Sequence, residues 1–191
     1  MKKSYVILII VAVVTILLVI WVKGTYNGMV SAEEETTTQL AYIQSAYQRR
    51  ADLIPNLVEV VKGYAAHEKE TLEGVVSARS KATSITLDAD NIKAYQQAQG
   101  ELSSALSRLL AVHEAYPDLK ANENFRDLQV QLEGTENRIN EARNKYNESV
   151  QAYNINIRRF PNNIIAGMFG FEKKDKFEAA AGAEKAPEVK F

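Results

Sequence analysis

The residues of this sequence that could do chemistry are few and scattered. There is no cysteine, and the only histidines are His67 and His113. Glu68 follows His67, as in a zinc-protease helix, but Thr71 stands four residues on, where the second histidine ligand would be needed. The adjacent acids at 33–35 would point in different directions on a helix and form no catalytic pair. We therefore predict no catalytic, metal or cofactor site, and expect a protein that is not an enzyme.

One short charged stretch could bind a ligand. Arg49, Arg50 and Asp52 precede Pro55, and guanidinium groups hold carboxylates or phosphates through paired hydrogen bonds. The same residues could instead form an internal network at a corner between helices. Cations suit a helix C-terminus, and Asp52 could cap a new helix that Pro55 begins. Both interpretations stay open, and the three charged residues are a candidate interaction surface.

These candidates need elements to position them, and the first element is a membrane anchor. Two lysines precede an apolar run from Tyr5 to Val22 that is interrupted only by Thr15. As a helix this run would extend roughly 27 Å, close to the thickness of the hydrocarbon layer. No small-residue cleavage site follows, so residues 1–23 are predicted to be an uncleaved transmembrane helix.

The flanking charges predict the orientation of this anchor. The lysines before the span favour a cytoplasmic N-terminus. The remainder would then lie outside the cytoplasm of a single-pass inner-membrane protein, in the periplasm if there is an outer membrane. The net charge is only −1, so we expect no nucleic-acid partner.

The rest of the chain is predicted to be all-α. Apolar residues recur at steps of three and four, most regularly in a heptad seam typical of coiled coils, which contains Phe125, Leu128, Leu132, Thr135, Ile139, Ala142, Tyr146, Ser149 and Tyr153. Residues 24–160 are predicted to form an antiparallel four-helix bundle with long helices. If Pro55 only kinks its helix, one helix would continue from Tyr26 to about Arg79, leaving three.

Two shorter segments follow the predicted bundle. Residues 161–178 concentrate apolar side chains, including Ile164, Ile165, Met168 and Phe169. This segment is too short to span a membrane. It would either cap the end of the bundle or contact the membrane or a partner, and its four apolar residues join the candidate interaction surface. Residues 179–191 are small and polar, which predicts a flexible tail.

The sequence also resembles a known family. The N-terminal anchor is followed by "RRADLIPNLVEVVKGYAAHEKETL", "YPDLKANENFRDLQVQLEGTENRINEARNKYNESVQAYN" and "FPNNIIAGMFGF". In that order and spacing they resemble the bacterial LemA family, over roughly Tyr26 to Phe177. The resemblance implies a single-pass membrane protein with an extracytoplasmic helical bundle. It implies no activity, because the family has no established biochemical function.

These observations together predict a protein that acts by interaction. We expect an envelope scaffold or an adaptor for other membrane proteins, with self-association as one form of it. The alternative is a sensor or regulatory ectodomain that binds a small ligand and modulates a membrane partner. Few residues precede the span, so we expect a sensor to act through that partner.

Overall fold

The computed structural model describes residues 2–89 and 91–178, and within these ranges the chain is all-α, without a strand. The helices are α1 (Lys2–Tyr64), α2 (Lys69–Ser84), α3 (Ile92–Ala111), a 3-10 turn (Val112–Glu114), α4 (Pro117–Ala121), α5 (Glu123–Arg158) and α6 (Asn162–Phe169). The predicted flexible tail, 179–191, lies outside the described residues.

The chain divides into two compact units, and α1 and α5 contribute to both. The first unit comprises residues 2–38 and 148–174, and the second comprises residues 39–89, 91–147 and 175–178. The second unit holds the larger apolar core, in which α2 packs on α3. The core of the first unit is a small cluster of Met29, Tyr153, Ile157, Ile165 and Ala166.

The expected helix break near Pro55 is wrong, because α1 passes through this proline. Proline has no backbone N–H and therefore cannot donate to the carbonyl four residues earlier, that of Ala51. Arg79, on α2, replaces the missing donor: its Nε donates a hydrogen bond of 2.8 Å to the Ala51 oxygen. Asp52 consequently caps no helix, and it accepts a hydrogen bond of 2.8 Å from Gln48 on the same exposed face of α1.

The chain leaves α1 ten residues later than predicted, at residues 65–68. The expected alternative, a helix continuing to about Arg79, is also wrong, since α2 begins separately at Lys69. Ala65 is buried in the core at this break. The sequence predicted an anchor helix followed by four bundle helices. The described chain instead has six α-helices, of which α4 and α6 are short and α1 includes the anchor segment.

The predicted seam of α5 is confirmed by burial. Every one of its nine members is buried or half-buried. Asn122 caps this helix, because its Oδ1 accepts a hydrogen bond of 2.9 Å from the N–H of Phe125. A regular heptad is a strong signal of a helix with one buried face, because its apolar positions all return to the same side of the helix.

Two asparagines of α5 hold the chain that follows α6. In the first unit, Asn154 donates to the carbonyl of Lys174 at 2.9 Å and accepts from its N–H at 3.0 Å. In the second unit, Asn147 makes the same pair of bonds with Phe177, at 3.0 and 2.8 Å. Each side-chain amide therefore satisfies both backbone groups of one residue.

Candidate functional site

Arg50, a candidate for ligand binding, is the centre of an internal network in the second unit. Only 3% of the residue is exposed. Its Nη1 donates to Glu136 at 2.8 Å and to Ser103 at 2.9 Å, while its Nη2 donates to the Gln99 side-chain oxygen at 2.6 Å. The guanidinium also lies 5.0 Å from the ring centre of Tyr47. This arrangement joins α1, α3 and α5 and leaves Arg50 inaccessible to an external ligand.

The tyrosines beside this network stay protonated at neutral pH. Tyr47 and Tyr95 meet edge to face, with ring centres 5.3 Å apart. Burial is the main cause that raises the pKa of Tyr95 to about 12, with a further contribution from Tyr47. Burial also raises the pKa of Tyr47, against the opposing charges of Arg143 and Arg50. Neither hydroxyl is poised to act as a base near neutrality.

Arg49, the neighbour of Arg50, points to solvent and lines a groove of about 800 Å³ between α1 and α5. The third charged candidate, Asp52, lines the same groove. Both stand on one stripe of α1, and a facing stripe of α5 completes the walls. The lining residues are Gln39, Tyr42, Ser45, Ala46, Gln48, Arg49, Asp52, Thr135, Arg138, Glu141, Ala142 and Lys145.

The charges of the groove are unevenly compensated. Glu141 is paired with Lys145 at 2.7 Å, and this pair lowers the pKa of the glutamate. Asp52 accepts the hydrogen bond from Gln48. Arg49 and Arg138, by contrast, make no ion pair or hydrogen bond with any part of the chain that the structure describes. The groove therefore presents two available guanidinium groups, which are the donors best suited to planar carboxylates.

The apolar candidates of α6 separate into one internal residue and three exposed ones. Ile165 is buried in the core of the first unit, so it offers no surface. Ile164, Met168 and Phe169 are more than half exposed. Phe169 also lines a smaller, mainly apolar groove of about 390 Å³ on the N-terminal part of α1, whose lining includes Thr15 and Lys23. The Phe169 ring lies 4.8 Å from that of Tyr26.

Neither histidine is placed in a catalytic or metal-binding arrangement. His67 is exposed where the chain leaves α1. His113 is half-buried, with Nδ1 against the carbonyl of Leu110 and its ring 5.6 Å from that of Phe125. Residues 2–89 and 91–178 contain no group of three or more histidine, aspartate or glutamate side chains that could hold a metal ion. The prediction that the protein is not an enzyme stays a prediction.

Comparison with known proteins identifies the family. The family model described as the LemA family matches residues 39–191, which is most of the chain and includes the parts of α1 and α5 that line the larger groove. The chain belongs to the LemA family. The resemblance predicted from the sequence is thereby confirmed.

Relatives of this LemA-family chain include magnetosome proteins. It is similar to magnetosome protein MamQ 2 of Paramagnetospirillum magneticum, with 28% identity over 175 residues, covering 80% of this chain and 64% of the relative. It is 26% identical to magnetosome protein MamQ of Magnetospirillum gryphiswaldense, over 82% of this chain and 66% of the relative. Protein LemA of Metamycoplasma hominis is 25% identical, over 72% and 61%. The chain thus spans less than two thirds of the length of these relatives.

Four aromatic or charged residues that line the larger groove of this LemA-family chain were not predicted from the sequence. These are Tyr42 on α1, and Arg138, Glu141 and Lys145 on α5. A spacing signal was present, because Tyr42 and Arg49 are seven residues apart, as are Arg138 and Lys145. Seven residues make two helical turns, so both members of each pair share a face. What the sequence could not supply is which two helix faces meet.

Proposed function

We propose that this protein is a membrane-anchored adaptor that binds an acidic helical segment of another membrane or envelope protein in the groove between α1 and α5. Arg49 and Arg138 carry the proposal, because they face this groove and no acid within residues 2–89 and 91–178 forms an ion pair with them. Tyr42 is exposed beside them. Tyrosine and arginine are the residue types that most often dominate the binding energy of protein interfaces.

The shape of the groove favours a helical segment as the occupant. Its walls are stripes of α1 and α5 whose residues recur at three- and four-residue steps. A third helix can pack against two such stripes, as in a helical bundle. Exposed arginines at its edge would pair with the partner's carboxylates.

The N-terminal part of α1 supports the membrane anchor. This helix is long and apolar enough to cross a bilayer, and its apolar side chains from Tyr5 to Ile20 are exposed. We propose that it spans the membrane once, with the N-terminal lysines in the cytoplasm and the second unit outside. Alkaline carbonate extraction should leave the chain in the membrane pellet, and protease added to spheroplasts should digest the second unit. Release by carbonate would contradict the anchor, and full protection would contradict the orientation.

Site-specific photocrosslinking tests the adaptor function. A benzophenone side chain at Tyr42 in the full membrane-bound chain should give one discrete adduct with another protein. The double charge reversal Arg49→Glu with Arg138→Glu should reduce this adduct at least tenfold. Arg126→Glu, at an exposed position of α5 outside the groove, should leave it unchanged.

The other outcomes separate the alternatives. An adduct between two copies of this chain would replace the adaptor with a homo-oligomeric scaffold. Absence of any adduct would refute the groove as a protein-binding site.

A sensor remains the second candidate because the groove has the size of a small-molecule site, which typically lies between about 300 and 1,000 Å³. Calorimetric titration of the full chain in detergent with citrate provides the test. Submillimolar binding that is lost in the Arg49→Gln and Arg138→Gln double variant would favour a sensor. Absence of binding at millimolar citrate would favour the adaptor.

A further inference from the structure

Exposed apolar side chains of α6 lie beside the apolar end of α1. Met168 is 72% exposed, and Ile164, four residues earlier on the same face, is 52% exposed. From these positions we infer that α6 lies in the interfacial layer of the bilayer that α1 crosses and inserts Ile164, Met168 and Phe169 among the lipids. This inference rests on the proposed membrane anchor and adds to it a second, non-spanning contact.

The contact of Phe169 with α1 sets the depth of α6. Phe169 lines the small apolar groove together with Leu18, Val19 and Val22, which belong to the last turns of the candidate span. Leu18 and Val22 are separated by about 6 Å along a helix. If α1 crosses the bilayer, Phe169 therefore lies within about one turn of the boundary of the hydrocarbon layer.

The opposite face of α6 is held firmly by the first unit. Ile165 and Ala166 are buried against Met29, Tyr153 and Ile157. Tyr26 contacts the rings of Phe169 at 4.8 Å and Phe171 at 5.6 Å between their centres. Helix α6 is thus fixed at this position, with its apolar Ile164–Met168 face left outside the core.

The charges around α6 suit lipid headgroups. The helix itself contains no charged residue. Arg158 and Arg159, both exposed, lie at the end of α5, two residues before α6 begins, and Lys23 lines the small groove with Phe169. Basic residues beside an apolar surface can extend into the headgroup layer and attract anionic lipids. Tyr26 and Phe169 provide aromatic rings at the depth where membrane proteins concentrate aromatic side chains.

Continuity with the span makes lipid the occupant of this surface. From Phe169 to Leu18 the small groove is lined mainly by apolar side chains; the exceptions are Lys23 and Thr15, and the Thr15 hydroxyl donates to the carbonyl of Val11. Lipid around α1 would therefore also reach Phe169, whereas a protein partner would have to displace it. A single face of this kind contributes a surface contact and no second span.

The absence of cysteine from the sequence permits a direct test by single spin labels. Met168→Cys, Asn163→Cys and Val11→Cys variants of the full chain would be labelled and reconstituted in vesicles of phosphatidylethanolamine and phosphatidylglycerol. Power saturation with oxygen and with a water-soluble nickel complex then reports the depth of each label. Asn163 is the matched control, since it is also exposed on α6 but lies on the other flank of the helix.

We expect the label at 168 to collide at least threefold more with oxygen, relative to nickel, than the label at 163. The label at 11 reports the span. If 11 is in the bilayer while 168 and 163 are equally exposed to nickel, the α6 contact is refuted and the anchor stands. If 11 is also in water, the anchor itself is wrong. Spin–spin broadening at 168 would show that a second copy covers the surface and would likewise overturn the lipid contact.

Discussion

Replacing Arg79 with methionine removes the only donor outside α1 that the structure gives to the Ala51 carbonyl. The bond from Arg79 Nε is 2.8 Å long, and Ala51 is only 3% exposed. Water therefore cannot readily take the place of the guanidinium. A buried acceptor left without a partner costs about 1–3 kcal/mol. We expect Arg79→Met to lower the free energy of unfolding by about 2 kcal/mol in the wild-type background.

The Pro55→Ala substitution should suppress this loss. Alanine restores a backbone N–H four residues after Ala51, so α1 can satisfy the carbonyl by itself. In the Pro55→Ala background we expect Arg79→Met to cost less than about 1 kcal/mol. The coupling between the two positions should then be at least about 1 kcal/mol, which is typical of residues that share one partner.

Urea unfolding of the full chain in detergent micelles, followed by far-ultraviolet circular dichroism, measures these free energies. A change of 1 kcal/mol corresponds to roughly 2–4 °C in the thermal midpoint of a chain this long, so heating provides a second readout. Arg126→Met, at an exposed arginine of α5, controls for loss of a positive charge. An equal cost of Arg79→Met in both backgrounds would refute the link between Arg79 and the proline.

Three further predictions follow from burial and charge. Glu136→Gln should lower the free energy of unfolding by about 1–2 kcal/mol, because it removes the negative charge that pairs with the buried Arg50 guanidinium. Urea unfolding with no loss would contradict this. Burial raises the pKa of Tyr95 and Tyr146 to about 12. Unfolded tyrosines ionise from about pH 10, so the unfolded state binds fewer protons between pH 10 and 12 and stability should fall by about 1.4 kcal/mol per tyrosine and pH unit. In the difference between the 295 nm titrations of the wild type and Tyr95→Phe or Tyr146→Phe, the signal of the removed tyrosine should rise only as circular dichroism is lost; a difference signal near pH 10 in the folded chain would contradict this. Ile139→Asp should abolish cooperative thermal unfolding, whereas Val130→Asp, at an exposed position, should leave the midpoint within 2–3 °C.

The helical class and the long α5 were predictable from sequence because their signals are local. Phe125 and Ile139 belong to a seam of nine residues, and such a period leaves few alternatives to a helix with one buried face. The cap at Asn122 is an equally local feature, since it depends on a residue type three positions before Phe125. Local chemistry of this kind needs no knowledge of the other helices.

The path of α1 was not predictable because its continuity depends on tertiary structure. Pro55 is a strong local signal for a helix boundary. The hydrogen bond that compensates for it comes from Arg79, twenty-four positions along and on another helix. The break that does occur, at residues 65–68, contains no proline, and Gly63 just before it is the nearest residue of low helix propensity.

The candidate site was predicted in part. Arg49 and Arg50 looked equivalent in the sequence, yet adjacent helical residues point about 100° apart, so one faces the groove and the other the core. The outcome required knowing where Glu136 and Gln99 lie. Tyr64, the last residue of α1, is 45% exposed, and its hydroxyl accepts a hydrogen bond from Asn122.

The two asparagines of α5 fix the route of the chain after α6 by hydrogen bonding to its backbone. Asn154 and Asn147 each engage the N–H and C=O of a single residue, Lys174 and Phe177, so neither bond pair depends on the side chain it holds. Substitution at Lys174 that keeps the N–H should therefore leave the route intact, even where the ion pair of Lys174 with Glu33 is lost. Proline at position 174 or 177 would remove one of the two hydrogen bonds, because it has no backbone N–H. The position of this segment therefore depends on two side chains of α5. The side chains of the segment itself are correspondingly freer to vary.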